Sequence, residues 1–304
     1  MRKISAVLTL LALVVFPASI LAGDSSAILG TEDYFVGALP PPGFHFINYL
    51  AYYYADEFRN SDGDKIPEDF KADVAAEVLR GIYVSDIEVL GANLGWHVVV
   101  PLVYKDMKMR MGDFTIFDES RASLGDIYFS PFLLGWHSDV LHWVVGLDII
   151  APTGQYNNDY AVNIGSNHWT FEPAVAVSLI LPEGLSVDLK LMYDFHTENT
   201  DYIGMAGVGD YRTGQQFHLD YNVGYAVLDN FRLGVGGYYL KGLQDDELDG
   251  NKIANTKEQV LAVGPTALYS FNPGLHLVAK VQFETEVENR PQGIFSWLKL
   301  IYSF

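Results

Sequence analysis

The sequence predicts an all-β protein, a transmembrane antiparallel up-and-down β-barrel of about 12 strands. Three observations lead to this prediction: segments in which apolar and polar residues alternate, connections that sort by length, and no run of 18 apolar residues after residue 22. A helix needs about 20 apolar residues to cross a bilayer, whereas a barrel strand needs about 10 that alternate. Short turns at one end and long polar loops at the other are typical of outer-membrane barrels.

The first 42 residues divide into two segments that precede the strands. Two basic residues stand before an apolar run from Ile4 to Phe16, and small residues near Ala22 offer a cleavage point, so residues 1–22 are expected to be a secretory signal peptide. Residues 23–42 end in three consecutive prolines, which cannot donate to a β-ladder. This segment is expected to be either a periplasmic tail or a small plug, and the barrel is expected over residues 43–304.

Twelve segments have the pattern of strands, most clearly GLSVDLKLMYDFH at 184–196, where every second residue is apolar. The expected strands are 43–54, 73–84, 93–105, 122–134, 140–151, 168–181, 184–196, 214–227, 230–241, 258–271, 274–286 and 292–304. Tight turns such as PEG at 182–184 alternate with long polar loops, for example residues 55–72 and 105–120. An even number of strands places both termini on the periplasmic side of a bacterial outer membrane.

Composition excludes several classes of function. The formal net charge is −19, and this argues against a nucleic-acid partner because phosphate binding needs clustered Lys and Arg. The chain contains no Cys and therefore no disulfide. Its histidines are not accompanied by a nucleophile motif, so we expect neither enzymatic activity nor a cofactor.

The polar face of each strand should line the lumen if the apolar face meets lipid. The residues assigned to the lumen in this way are Asp126, Tyr128, His142, Asp148, His168, Glu172, Asp188, Lys190, Asp194, His218, Asp220, Arg232, Lys280, Glu284 and Lys299. Charges of both signs suit such an interior, because buried charges need partners or water. The sequence predicts no metal site, because no two histidines stand at i and i+2 of one strand. Around Glu77 and Arg80 the alternation leaves the facing of the second strand ambiguous.

The last strand, GIFSWLKLIYSF at 293–304, alternates with its larger aliphatic residues on one face. Leu300, Tyr302 and Phe304 are expected to face outer-membrane lipid and to form the signal that the barrel-assembly machinery reads. In the loop DDELDGN, four residues from Asp245 to Gly250 follow the start of an EF-hand pattern, but Thr256 stands where Glu is needed. A solvated acidic loop is therefore the favoured interpretation.

Four segments resemble an outer-membrane barrel family associated with the meta-cleavage pathway of phenol degradation. They are ALPPPGFHFINYLAYYYADEF at 38–58, SLGDIYFSPFLLGWHSDVLHWVVGLDIIAPTGQY at 123–156, NIGSNHWTFEPAVA at 163–176 and GVGGYYLKGLQDDE at 234–247. The resemblance implies an outer-membrane channel for passive uptake of small hydrophobic or aromatic compounds, without a cofactor. The alternative is a structural or surface-binding, adhesive outer-membrane barrel that acts through its acidic extracellular loops.

Overall fold

The computed structural model describes residues 28–66, 69–204 and 206–304, and these residues form seventeen β-strands. The strands are β1 Gly43–Phe58, β2 Asp69–Val89, β3 Ala92–Met111, β4 Phe114–Leu124, β5 Ile127–His137, β6 Leu141–Ala151, β7 Thr170–Ile180, β8 Leu185–His196, β9 Asn199–Gly204, β10 Gly207–Arg212, β11 Gln216–Leu228, β12 Phe231–Gly242, β13 Glu247–Leu248, β14 Asn251–Lys252, β15 Gln259–Asn272, β16 Leu275–Glu288 and β17 Pro291–Ser303. None of the described residues belongs to a helix that is long and apolar enough to cross a membrane. The expected signal peptide, residues 1–22, lies outside the described residues.

Twelve of the strands close into one antiparallel ring. Its order is β1, β2, β3, β5, β6, β7, β8, β11, β12, β15, β16 and β17. The ring closes because β17 also pairs with β1, with Tyr302 opposite Phe46 and Leu298 opposite Leu50. Closure gives each ring strand two hydrogen-bonded neighbours, which a sheet needs where no water can satisfy an open edge. The predicted antiparallel barrel of about 12 strands is confirmed.

Alternate residues of each ring strand face the lumen and the outside. On β8, Asp188 and Asp194 are buried, whereas their sequence neighbours Val187 and Phe195 are exposed. On β12 the same alternation exposes Leu233 and Val235. The outside of the barrel is therefore a continuous apolar surface, which is stable in lipid and not in water. The predicted outward facing of the apolar residues follows this pattern.

The two ends of the barrel differ. One end, here called the turn end, carries only the connections 90–91, 138–140, 181–184, 229–230 and 273–274. The first is a two-residue turn in which Leu90 and Gly91 both have positive φ, 53° and 76°, as a type I′ hairpin requires. The other end, called the loop end, carries the long connections. The predicted sorting of connections by length is thus present in the fold.

Two of the expected long loops are shorter than predicted, and this part of the prediction is wrong: strands take up the ends of 55–72 and nearly all of 105–120. β2 and β3 have 21 and 20 residues, and β4 pairs with the outer half of β3 from Leu102 to Met111. Together these outer parts form an extension that we call the flange, residues 69–76 and 102–124. A small core of Phe70, Met109 and Phe117 stabilises it. The polar composition of 55–72 and 105–120 resembles that of loops, but their apolar residues still alternate.

The expected strand 122–134 is divided into β4 and β5 at Gly125 and Asp126. The Asp126 carboxylate holds the following loop: Oδ1 accepts from the Gly154 N–H (2.8 Å), and Oδ2 accepts from the Ser166 N–H (2.8 Å) and hydroxyl (2.7 Å). A bulge between Phe129 and Leu133 then changes which residues face inward. Leu133 contacts the lumen as a result, and Phe132, which simple alternation places inside, does not line it.

The acidic loop between β12 and β15 is folded. Its short strands β13 and β14 join the β9–β10 hairpin in a second, four-stranded sheet at the loop end. Asp246 anchors this sheet by accepting hydrogen bonds from the Tyr211 hydroxyl (2.6 Å) and the Gly214 N–H (2.8 Å). Burial raises the pKa of Asp246. The loop carboxylates are therefore partly engaged within the protein.

Candidate functional site

Residues 28–42 run through the interior of the barrel and are called the lumen strap here. Their backbone N–H groups donate to side chains of the barrel wall. Gly30 and Glu32 donate to the Asp220 carboxylate at 3.0 and 2.8 Å, and Phe35 donates to Asp188 at 2.7 Å. A carboxylate that accepts backbone N–H groups makes stronger hydrogen bonds than a neutral acceptor. The wall thus holds the strap along its backbone.

Ion pairs with the barrel wall are a second kind of contact that holds the strap. The Asp33 carboxylate lies between the Lys280 and Lys299 ammonium groups, at 2.9 and 2.6 Å, and Lys280 also donates to the Glu32 carbonyl at 3.1 Å. The Glu32 carboxylate accepts from Arg80 at 2.7 Å. Charges removed from water require such partners. Both carboxylates of the strap are therefore paired with basic side chains of the barrel wall.

The aromatic ring of Tyr34, in the strap, packs where β11 has a glycine instead of a side chain. A Cβ at Gly224 would lie 2.2 Å from the Tyr34 ring, so only glycine leaves room for it. The Tyr34 hydroxyl then reaches Thr266, whose carbonyl accepts at 3.3 Å and whose hydroxyl donates back at 3.0 Å. Gly224 within β11 therefore makes space for the Tyr34 ring of the strap.

The lumen contains a cavity of about 290 Å³ on the loop-end side of the strap, called the loop-end chamber. Five aromatic residues line it: Tyr53, Tyr128, Tyr238, Phe295 and Trp297. Phe295 stacks on Trp297 with ring centroids 4.6 Å apart and meets Tyr53 edge-on at 5.4 Å. The Trp297 Nε1–H is buried and has no hydrogen-bond partner among the described residues. The chamber therefore has aromatic walls with charged residues among them, and Arg290 Nε is a second buried donor there without a partner among the described residues.

A second cavity of about 320 Å³, the turn-end chamber, lies on the other side of the strap. A small cavity of about 50 Å³, the central constriction, separates the two chambers. It shares Tyr128 with the loop-end chamber and Arg80 and Lys190 with the turn-end chamber. The three cavities are thus arranged in series, with the narrowest part at a group of charges.

Hydrogen bonds fix the side chains at the constriction. Arg80 donates to His97 Nδ1 from Nε at 3.2 Å and from Nη2 at 2.8 Å, and His97 Nε2 lies 2.7 Å from Asp148. Because arginine only donates, His97 Nδ1 carries no proton, and the proton of the neutral ring is on Nε2. Lys190 lies 3.7 Å from Asp148 and 3.9 Å from Glu172. The constriction is therefore bounded by an ordered network of charges.

Most of the residues assigned to the lumen from sequence are buried within the barrel. These are Asp126, Tyr128, Asp148, His168, Glu172, Asp188, Asp194, His218, Asp220, Lys280, Glu284 and Lys299. His142, Lys190 and Arg232 are half-buried. The structure brings Asp148, Glu172, Lys190, Asp194 and His218 together near the constriction. It places others elsewhere: Glu284 accepts from Tyr53 and Tyr238, and Arg232 donates to the Gly184 carbonyl near the turn end.

Sequence reasoning missed four residues of the site. Glu32 and Asp33 belong to a segment without periodicity, and their partners lie about 250 residues away in Lys280 and Lys299. Arg80 belongs to the strand of ambiguous facing; the structure directs it inward, while Glu77 accepts from Asn48 on the exposed side. His97 is buried between Arg80 and Asp148, and no motif in the sequence marks it. No local signal identifies such long-range pairs.

The residues from 55 to 300 match the model of a protein family described as "Putative MetA-pathway of phenol degradation". The chain belongs to this family. The match covers most of the chain and confirms the resemblance found in the four segments quoted above. A comparison with curated proteins finds no match.

Solved structures of similar fold are outer-membrane barrels. An outer membrane channel from Pseudomonas putida F1 has a TM-score of 0.77 and 21% sequence identity, and the match covers 88% of this chain and 97% of that chain. The β domain of the Bordetella autotransporter BrkA has a TM-score of 0.52 and 10% identity, over 87% of this chain and 100% of that chain. At these identities the similarity shows the fold alone.

Proposed function

We propose that this barrel lies in the bacterial outer membrane, with both termini on the periplasmic side, and lets small hydrophobic or aromatic compounds diffuse into the cell. The observation that supports the proposal most directly is the series of three cavities along the lumen, which begins in an aromatic chamber. The description of the family links it to phenol degradation, and the Pseudomonas putida protein of similar fold is described as a channel. The apolar outer surface of the barrel fits the membrane location.

The loop-end chamber is suited to transient binding of a single aromatic ring. Burying a side chain of phenylalanine size stabilises by about 1.5–3 kcal/mol. The dissociation constant of a solute of that size would therefore be millimolar or higher, so the solute binds weakly enough to leave again. The free Trp297 N–H can donate to a hydroxyl group on the solute. This combination favours phenol-like compounds over ions.

The lumen strap sets the rate of passage in this proposal. The central constriction, of about 50 Å³, is too small for a six-membered ring together with the strap. Passage then requires the strap to move locally away from the wall. The remaining function expected from sequence, surface binding through acidic loops, is less favoured because Glu247 and Asp249 already contact Arg212 and the Asp210 N–H.

Uptake into liposomes tests the proposal. Refolded protein in liposomes should take up labelled phenol or toluene faster than empty liposomes do. Trp297→Phe removes the N–H and keeps the ring stack, so it should slow phenol more than toluene. Phe283→Ala is the matched control, because Phe283 is an aromatic residue on the outer face. Uptake by folded protein that equals uptake by empty liposomes for both solutes would contradict a channel for such compounds.

A further inference from the structure

Three buried side chains from three neighbouring strands meet beside the central constriction. They are Glu172 on β7, Asp194 on β8 and His218 on β11, which are 4%, 0% and 2% exposed. One oxygen or nitrogen atom from each lies within 4.8 Å of the other two. Glu172 and His218 also line the constriction. The ring of the barrel therefore brings two carboxylates and one imidazole to a common point.

The spacing of these atoms is that of ligands around a shared ion. His218 Nε2 lies 3.2 Å from Asp194 Oδ2 and 3.4 Å from Glu172 Oε2. Tetrahedral zinc has bonds of about 2.0–2.1 Å to nitrogen and oxygen, so two of its ligands stand about 3.3–3.4 Å apart. Apart from these contacts, the ring nitrogens of His218 and the carboxylate oxygens of Asp194 have no hydrogen-bond partner among the described residues.

The charges around this point leave a deficit of positive charge. The connected carboxylates are Glu32, Asp148, Glu172 and Asp194, and the connected fixed cations are Arg80 and Lys190. His97 is neutral, because its Nδ1 accepts from Arg80. Four negative and two positive charges then remain on side chains that are largely buried. A divalent cation balances this excess, whereas a protonated His218 balances only half of it.

We propose that Glu172, Asp194 and His218 form a binding site for a divalent transition-metal ion, with Zn²⁺ as the representative ion. An imidazole ligand favours zinc and its neighbours over magnesium and calcium, which take oxygen ligands. Three protein ligands leave the fourth position open, as in catalytic and exchangeable zinc sites. Glu172 and His218 line the central constriction, so water or an oxygen atom of a passing solute can reach this position from there. Lys190 Nζ lies 3.9 Å from Glu172 Oε1 and helps to orient the Glu172 carboxylate.

This site departs from the expectation drawn from sequence, which was no metal. That expectation rested on the absence of two histidines at i and i+2 of one strand. The three ligands instead come from three strands that are neighbours only in the folded ring, and two of them are carboxylates. The spacing of residues along the sequence does not predict such a set of ligands.

Metal binding by the purified barrel tests the proposal. Protein treated with chelator and then dialysed against ZnCl₂ should retain one Zn²⁺ per chain, measured by elemental analysis and by titration calorimetry. His218→Gln and Asp194→Asn should each weaken binding by at least 100-fold. His276→Gln should bind like wild type, because its ring contacts Ser270 and the Pro273 carbonyl at the turn end. Mg²⁺ and Ca²⁺ at the same concentration should not displace Zn²⁺.

Cobalt supplies a readout that a purely structural role would not give. Co²⁺ in the wild-type site should show the intense visible absorption of a tetrahedral ion, and His218→Gln should lose it. Glu172→Gln replaces either variant that fails to fold, as judged by its mobility on unheated gels. Wild-type protein that retains no Zn²⁺, or that binds it equally in the folded variants, would overturn the proposal. The assay involves no transport, so its outcome is independent of the channel proposal.

Discussion

Replacing Asp33 by Asn should loosen the lumen strap while the barrel ring stays intact. Asp33 is 2% exposed, and Lys280 and Lys299 are each 3% exposed, so the substitution leaves two buried ammonium groups without their carboxylate. Removing one member of a buried ion pair costs about 3–5 kcal/mol. Since about 1.4 kcal/mol corresponds to a factor of ten, the undocked fraction of the strap rises by roughly 10²- to 4 × 10³-fold. The backbone bonds to Asp220 and Asp188 remain, so undocking should be transient.

Single-channel recording in planar bilayers measures this change. Asp33→Asn should produce brief steps to a higher conductance that wild-type protein rarely shows. Asp62→Asn is the matched control, because Asp62 is exposed in the connection between β1 and β2 and loses the same charge. The Asp33 and Asp62 variants should have the same melting behaviour, since neither residue belongs to the ring. Identical traces from folded Asp33→Asn and wild-type protein would refute the idea that this ion pair holds the strap.

Three further substitutions, one of them with a matched control, test the fold. Changing Val235 to Arg should lower the free energy of unfolding by about 2–4 kcal/mol, because Val235 is 52% exposed near the middle of β12. The change would be measured as a lower urea midpoint in lipid vesicles, and no shift would argue against lipid contact there. Gly264→Ala places a Cβ 1.7 Å from the Val281 carbonyl oxygen and should lower stability by about 1–3 kcal/mol. Gly81→Ala is the control and should be neutral, because a Cβ there has nothing within 4 Å. Equal effects of the two substitutions would contradict the packing argument. Phe304→Ala should lower assembly in cells but not refolding into vesicles, because Phe304 is 81% exposed and contributes little packing; normal assembly would remove it from the proposed signal.

The ring could be predicted from the sequence because its signal is local. A period of two in the apolar residues decides both that a segment is a strand and which face meets lipid. The flange was missed for a physical reason: its charged residues form cross-strand pairs, such as Lys108 with Asp118, that let a polar segment remain in a ladder. Composition alone cannot distinguish such a strand from a solvated loop.

The candidate site was only partly predictable. Alternation identified His218 and Asp194 as interior residues, but their contact depends on the register between β8 and β11, in which Met192 rather than Asp194 is opposite His218. The strap supplied Asp33 and Glu32 from a segment that has no period at all. Which polar residues line a permeation path stays a prediction that transport measurements must test. Parity assigns a side chain to the lumen, and tertiary structure alone assigns its partner.

The flange has a consequence for the surroundings of the protein. A strand of 20 residues such as β3 is about 66 Å long at about 3.3 Å per residue, and a tilt of about 45° leaves roughly 47 Å along the membrane normal. The apolar band of such barrels is about 25 Å tall. With the turn end level with one edge of this band, roughly 20 Å of sheet extends beyond its other edge. Ion pairs such as Lys108 with Asp118 and Arg121 with Glu119 give the flange a hydrophilic surface, which suits the polar layer beside a bilayer rather than its hydrocarbon core.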